Sequence, residues 1–184
     1  MEKDVISSER LVLRPVTKDD TDAIHEYASD KSITMMMYFP KETLEETKAF
    51  VSYAVSEWNK AEPDDREYVI VYEGKIIGSI NLEFDHTGEV CEIGWLVHKD
   101  YRNKGIGSEA AKLLIEYAFN TLKMRKVIAH CDSSNGASEK VMKKVGMVLA
   151  DDSGTRVYPK TGAVAGEFRY EITNEGKITS KLLE

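Results

Sequence analysis

Apolar and polar residues alternate through ERLVLRPV (9–16), the pattern of a strand with one buried face. Thr17 then offers a cap to a helix whose first turn carries Asp19 and Asp20, acids that suit the positive end of a helix dipole. Ala23, Ile24, Tyr27 and Ala28 form its apolar face. A second helix is predicted from Thr43, with Glu46 completing a capping box and Phe50, Val51, Ala54, Val55 and Trp58 at helical spacing. The methionine-rich TMMMYFP (34–40) lies in the loop between them, open to a core-filling or a substrate-facing role.

Three strand patterns follow, EYVIVY (67–72), KIIGSINLEF (75–84) and EVCEIGWLV (89–97), separated by turns at Gly74 and DHTGE. Turns this short make them an antiparallel meander. Residues 105–121 read as a helix with Ala110, Leu113, Leu114, Tyr117 and Ala118 in one stripe. KVIAHC (126–131) is almost continuously apolar, so it suits burial on both faces. A strand–helix–strand connection of this length makes its two strands parallel. A capped helix over 133–146 and two strands, MVLAD and GEFRYEIT, complete the pattern. A variable loop is expected at 152–166. The order predicts an α+β fold with a mixed, largely antiparallel sheet of six to seven strands and about four helices. Residues 1–174 are expected to form a single domain, with 175–184 as a polar tail.

Composition narrows the function classes. No apolar run in the 184 residues approaches the length of a bilayer span, and MEKDVISSERL lacks the apolar core of a signal peptide. A cytoplasmic protein without membrane contact is expected. The net charge of −7 argues against nucleic acid as a partner and is compatible with a cationic one, such as an amine. Cys91 and Cys131 sit in apolar runs and read as buried thiols; with no clustered His/Cys set, no metal is expected.

The stretch YRNKGIGSEA (101–110) stands between a strand and a helix N-terminus, where unpaired N–H groups favour an anion. Gly105 and Gly107 permit close backbone approach, and Arg102 and Lys104 add positive charge. A plain glycine-rich turn would look similar. A Walker loop is ruled out because no Gly-Lys-Ser/Thr follows. A dinucleotide fingerprint lacks its third glycine, since position 110 is alanine.

EIGWLV, then YRNKGIGSEA, then NGAS followed by GM together resemble the GNAT superfamily of acetyl-CoA-dependent N-acetyltransferases. The resemblance runs over nearly the whole chain and is closest to the branch of ribosomal-protein alanine N-acetyltransferases. It implies that the fourth and fifth strands splay apart to admit acetyl-CoA. The 102–108 loop, namely Arg102, Asn103, Lys104, Gly105, Ile106, Gly107 and Ser108, would hold the pyrophosphate. Trp95, Leu96 and Val97 would pair with the pantetheine arm, and Asn135 would hydrogen-bond it. Lys140, Lys143 and Lys144 could meet the adenosine phosphate or form a solvated helix face. A strand bulge near Trp95 or Leu96 would free an N–H to stabilise an oxyanion.

Two side chains carry the expected catalysis. Glu92, an acid in an otherwise apolar strand, is the candidate base, directly or through water. Ser138, on one helical face with Asn135, is placed to donate a hydrogen bond, or its proton, to the coenzyme sulfur. The resemblance puts an acidic tyrosine four residues further on, but this chain has Met142 there. His98 and His130 are rival bases.

Amine acidity bears on the acceptor. A lysine amine near neutral pH is roughly one part in a thousand unprotonated, a cost of about 4 kcal/mol, against less than about 1 kcal/mol for a peptide α-amine. The expected activity is therefore acetyl transfer to a protein or peptide α-amine, by a monomer or homodimer. A small-molecule acetyltransferase for aminoglycosides or polyamines, and a non-catalytic acyl-CoA-binding protein, are the alternatives. Glu42, Glu45, Glu46, Asp64, Asp65 and Asp85 could steer a cationic substrate toward the mouth.

Overall fold

The structure, a computed structural model, describes residues 4–34, 36–37 and 40–174. The expected polar tail at 175–184 lies outside the described residues. The strands are β1 (Ile6–Ser7), β2 (Leu11–Pro15), β3 (Asp65–Tyr72), β4 (Lys75–Phe84), β5 (Val90–Val97), β6 (Lys126–Asp132), β7 (Val148–Val157) and β8 (Val164–Thr173). They join in one sheet in the order β1-β2-β3-β4-β5-β6-β8-β7, and β5–β6 is its parallel pair. The helices are α1 (Thr21–Ala28), α2 (Lys31–Thr34), α3 (Leu44–Glu57), α4 (Ile106–Asn120) and α5 (Gly136–Lys144).

Strand alternation divides the core between the two faces of the sheet. On one face Leu11, Leu13, Ile70, Leu82, Cys91, Ile93, Val127 and Ala129 pack under the Ala110–Leu114–Ala118 stripe of α4. On the other, Val69 and Leu96 meet Ile24, Tyr27, Val51 and Ala54 from α1 and α3. The Thr43 box forms as the sequence requires, with Glu46 N–H donating to Thr43 Oγ1 at 3.2 Å and Thr43 N–H to Glu46 Oε2 at 2.9 Å. Thr17 caps differently. A 3-10 turn over Lys18–Asp20 precedes α1, and the Asp20 carboxylate accepts from Thr17 N–H and from Arg14.

Three elements depart from the periodic reading. β1 holds only two residues, too few to show alternation, yet pairs Ile6 with Leu13 and makes the sheet eight-stranded. The loop expected at 152–166 is mostly strand. Asp151 accepts hydrogen bonds from the N–H and hydroxyl of Ser153, and the β7–β8 register shifts there. The Asp-Asp-Ser-Gly stretch at 151–154 thus makes a bulge rather than ending the strand. α5 starts at Gly136 because Asn135 is its cap.

Candidate functional site

The site begins where two parallel strands stop pairing. β5 and β6 share three register pairs, ending at Glu92↔Ile128, after which β6 follows β8 and the strands fork. β5 stays paired with β4 throughout, without the expected bulge; the shift in this part of the sheet lies between β3 and β4 at Ile70/Val71. The open edge of β5 nevertheless presents free amides. His98 N–H donates to Ile77 O of β4 at 2.8 Å, and backbone direction alternates along a strand. Residues 96 and 98 therefore face β4, whereas Trp95 and Val97 turn their N–H and C=O into the fork. Leu96 is thereby removed as an oxyanion donor and Trp95 retained. Trp95, Leu96, Val97 and Gly94 all line a cleft of about 720 Å³ that runs through the fork.

One end of this cleft is an amide cradle. Gly105 caps α4 at φ +78°, a left-handed conformation open to glycine at little cost, and Asn103 is also left-handed at φ +60°. Among the described residues no acceptor takes the amides of residues 103–108; the first helical bond is Glu109 N–H to Gly105 O at 3.0 Å. Six consecutive free N–H groups at the start of a 15-residue helix form an anion site of the kind a pyrophosphate fits. Cations stand beside it: a Cβ on Gly105 would lie 3.9 Å from both Arg10 Nη2 and Lys144 Nζ.

Arg102, Asn103, Gly105, Ile106, Gly107, Ser108, Asn135 and Lys144 line the cleft. Lys104 does not; its Nζ lies over the Tyr101 ring at 4.8 Å. Lys140 also lines the cleft, whereas Lys143 is paired with Glu139 at 2.7 Å on the helix surface. Arg10, just before β2, stands beside Gly105 but is held in an ion pair by Glu109 of α4 and does not line the cleft.

In the cleft Asn135 Oδ1 accepts Ser138 N–H at 3.1 Å and so caps α5, while its amide N–H groups bond no described residue. Ser138 is placed oppositely to a locally satisfied helix-start serine. Its N–H is capped, and its hydroxyl bonds no described residue and lines the cleft. Met142 is buried in the core, 1 % exposed, and leaves no polar side chain at that position.

Glu92 does not stand alone: His130 Nδ1 lies 2.9 Å from its Oε1, which joins the two candidate bases across the fork. His130 lines the cleft and Glu92 does not. The hydrogen bond to Glu92, outweighing partial burial, raises the His130 pKa above its usual value. His98 is structural, capping the 3-10 turn at Lys99–Tyr101 through Nδ1 and stacking edge-on against Tyr101.

The face of the sheet that carries Glu92 is acidic. Asp65, Glu83 and Glu92 stand in direct register across β3, β4 and β5, with Glu67, Asn81 and Gly94 as the next row. A Cβ on Gly94 would fall 2.7 Å from Asn81 Oδ1, so glycine leaves room for Asn81 to donate to Asp65 at 2.7 Å. Burial, despite the Asn81 bond and with help from nearby acids, pushes Asp65 up to about 6. Burial and neighbouring Asp65 push Glu67 up to about 8. Of the acids expected at the mouth, Glu42 and Glu46 pair with Lys160, Asp64 with Lys60 and His86, and Asp85 with Thr87. Glu67 and Glu83 belong to no motif, although strand alternation puts them on one face with Asp65. The two variable segments meet above the fork. Buried Arg156 of β7 holds Glu167 and donates to Met36 O at 3.3 Å, while Met36 and Met37 line the cleft. Met35, Tyr38 and Phe39 lie outside the described residues.

Among the described residues no helix is long and apolar enough to cross a membrane, and no group of acidic, histidine and cysteine side chains has metal-binding geometry. Comparison with known proteins bears on the family and the fold. The chain is 35% identical over 174 residues, 92% of its length and 97% of the relative's, to the uncharacterized N-acetyltransferase YnaD of Bacillus subtilis. Its fold superposes with a TM-score of 0.82 on RimL, a ribosomal-protein α-N-acetyltransferase in complex with coenzyme A, at 19% identity, covering 92% of this chain and 97% of that one. It superposes with a TM-score of 0.77 on a spermidine N-acetyltransferase from Vibrio cholerae bound to CoA and spermine, at 18% identity, covering 91% and 98%. The acetyltransferase (GNAT) domain model matches residues 10–148, and the chain belongs to this family of acyltransferase enzymes.

Proposed function

We propose that this enzyme moves the acetyl group of acetyl-CoA to a primary amine by direct attack, with a protein or peptide α-amine as acceptor. The carrying observation is the run of free amides at residues 103–108 opening into the forked cleft beside the open edge of β5. The residues fit the coenzyme: the cradle and its cations suit a pyrophosphate, and the outward amide and carbonyl groups of Trp95 and Val97 suit an amide-bearing arm. When bound, acetyl-CoA supplies the activated thioester carbonyl.

The chain's own groups divide the work. The Trp95 N–H, turned into the fork, is the donor available to a developing oxyanion, a role that favours a preorganised backbone amide. The Glu92–His130 pair removes the proton that keeps the amine from attacking. The unoccupied hydroxyl of Ser138 donates to the departing sulfur. An α-amine loses its proton near pH 8 and asks less of such a base than a lysine does. A small polycationic amine is the second reading, favoured by the carboxylates of Asp65, Glu83 and Glu92 in one row.

Acetyl-CoA turnover over a panel of N-terminal peptides, polyamines and aminoglycosides tests both. Highest kcat/KM on peptides supports the first reading, and highest on polyamines replaces it with the second. Tight CoA binding without turnover on any amine would leave a coenzyme-binding protein instead.

A further inference from the structure

We propose that the proton acceptor is His130, through Nε2, and that Glu92 is a positioning residue that holds the ring by its other nitrogen. The proposal deepens the acetyltransferase reading and rests on it. The parallel ladder ends at Glu92↔Ile128, so His130, two residues further along β6 and on the same face, stands within the fork. Continued register would have set it opposite Gly94, which has no side chain to fill the space. The imidazole leans back across the fork to Glu92, with Nδ1 at 2.9 Å from Oε1.

A carboxylate can only accept, so the shared hydrogen belongs to Nδ1 and the lone pair of the neutral ring belongs to Nε2. His130 lines the same cleft as Trp95 and Ser138; Glu92 is the more exposed of the pair, 38 % against 24 %, but does not line that cleft. A proton leaving an amine held in the cleft therefore meets the imidazole and not the carboxylate. The proton balance is simple. An N–H bond of the substrate ammonium breaks, its electron pair stays on nitrogen as the nucleophilic lone pair, and the proton bonds to Nε2 to give imidazolium.

The surroundings keep this ring basic. Glu92 on β5, Glu83 on β4, Asp151 on β7 and Glu167 on β8 act on it as anions, opposed by Arg169 of β8. Their balance, led by the Glu92 hydrogen bond, raises the His130 pKa and brings it closer to that of an α-amine. The other histidines are engaged elsewhere: His25 with Thr47, His86 with Asp64, and His98 in its turn.

The test separates base from positioner. In the wild type kcat/KM should rise with pH along a limb set by His130. His130→Gln should lose about a hundredfold or more and the limb with it. Glu92→Gln should keep a limb that moves down by about one pH unit, with a smaller loss of rate. A limb that survives His130→Gln and vanishes in Glu92→Gln would overturn the assignment and make Glu92 the base. A second readout needs no turnover. Nitrogen NMR of the free protein should show neutral His130 protonated on Nδ1, with a titration midpoint that falls in Glu92→Gln. Protonation on Nε2, or an unmoved midpoint, would overturn the pairing even if the wild type acetylated no amine and the acetyltransferase reading itself failed.

Discussion

Replacing Gly105 by alanine separates backbone geometry from charge in the amide cradle. Gly105 sits at φ +78°, and an added Cβ meets nothing closer than 3.9 Å, so conformation and not crowding sets the cost. Holding an L-residue in the left-handed region costs about 1–2 kcal/mol. For a domain of this size that lowers the melting temperature by about 2–8 °C. If the loop relaxes to escape the strain, the amides of residues 103–108 stop converging. Loss of one hydrogen bond to a charged phosphate oxygen is worth about 1.5–3 kcal/mol, roughly 10- to 150-fold in CoA affinity. Gly162→Ala is the matched control: φ is +69°, nothing lies within 4 Å, and the residue is at the tip of the β7–β8 hairpin. Calorimetry with CoA and thermal melts should show both variants destabilised and Gly105→Ala alone impaired in binding. Wild-type affinity in a destabilised Gly105→Ala protein would refute the cradle.

Three further outcomes follow from named contacts. Gly107→Val should abolish CoA binding, because a Cβ there already touches Val141, Val97 and Trp95 at 3.6–3.9 Å and the valine methyl groups must enter the cleft; unchanged CoA titration would contradict this. Ser138→Ala should leave stability and CoA affinity intact, since the hydroxyl bonds no described residue, and lower kcat about 10- to 100-fold; an unchanged kcat would free the sulfur of this partner. Glu67 keeps its proton to about pH 8 when folded but releases it near 4.5 when unfolded, so stability falls as pH rises through that window. Gln stays neutral in both states, and Glu67→Gln should flatten the fall in melting temperature; an equal slope in both proteins would contradict the burial argument.

Much of this arrangement is legible in residue order, because the elements that build it are long and periodic. The meander, the 105–121 helix and the parallel crossover follow from alternation, helical spacing and connection length, and they locate the cradle. What escapes is short or non-local. Two-residue β1 has no period, and the loop expected at 152–166 is largely strand because pairing with β8 continues past the bulge. The direction of the Trp95 and Val97 amides depends on which residue of β4 His98 bonds. The Glu92–His130 pair spans a sequence separation that only the fork closes, so each residue alone reads as a rival of the other. Likewise Arg10 meets Glu109 of α4, by Nε at 2.9 Å, across a sequence separation that only the packing of α4 on the sheet closes.

The central claim, acetyl transfer to an α-amine at this fork, is tested most directly on a peptide carrying one free α-amine and one internal lysine. After incubation with acetyl-CoA, fragmentation mass spectrometry locates the acetyl group while released CoA thiol is counted. The account predicts acetylation at the N-terminus, matched by thiol release. Acetyl groups confined to the lysine, or thiol released with the peptide unmodified, would contradict it.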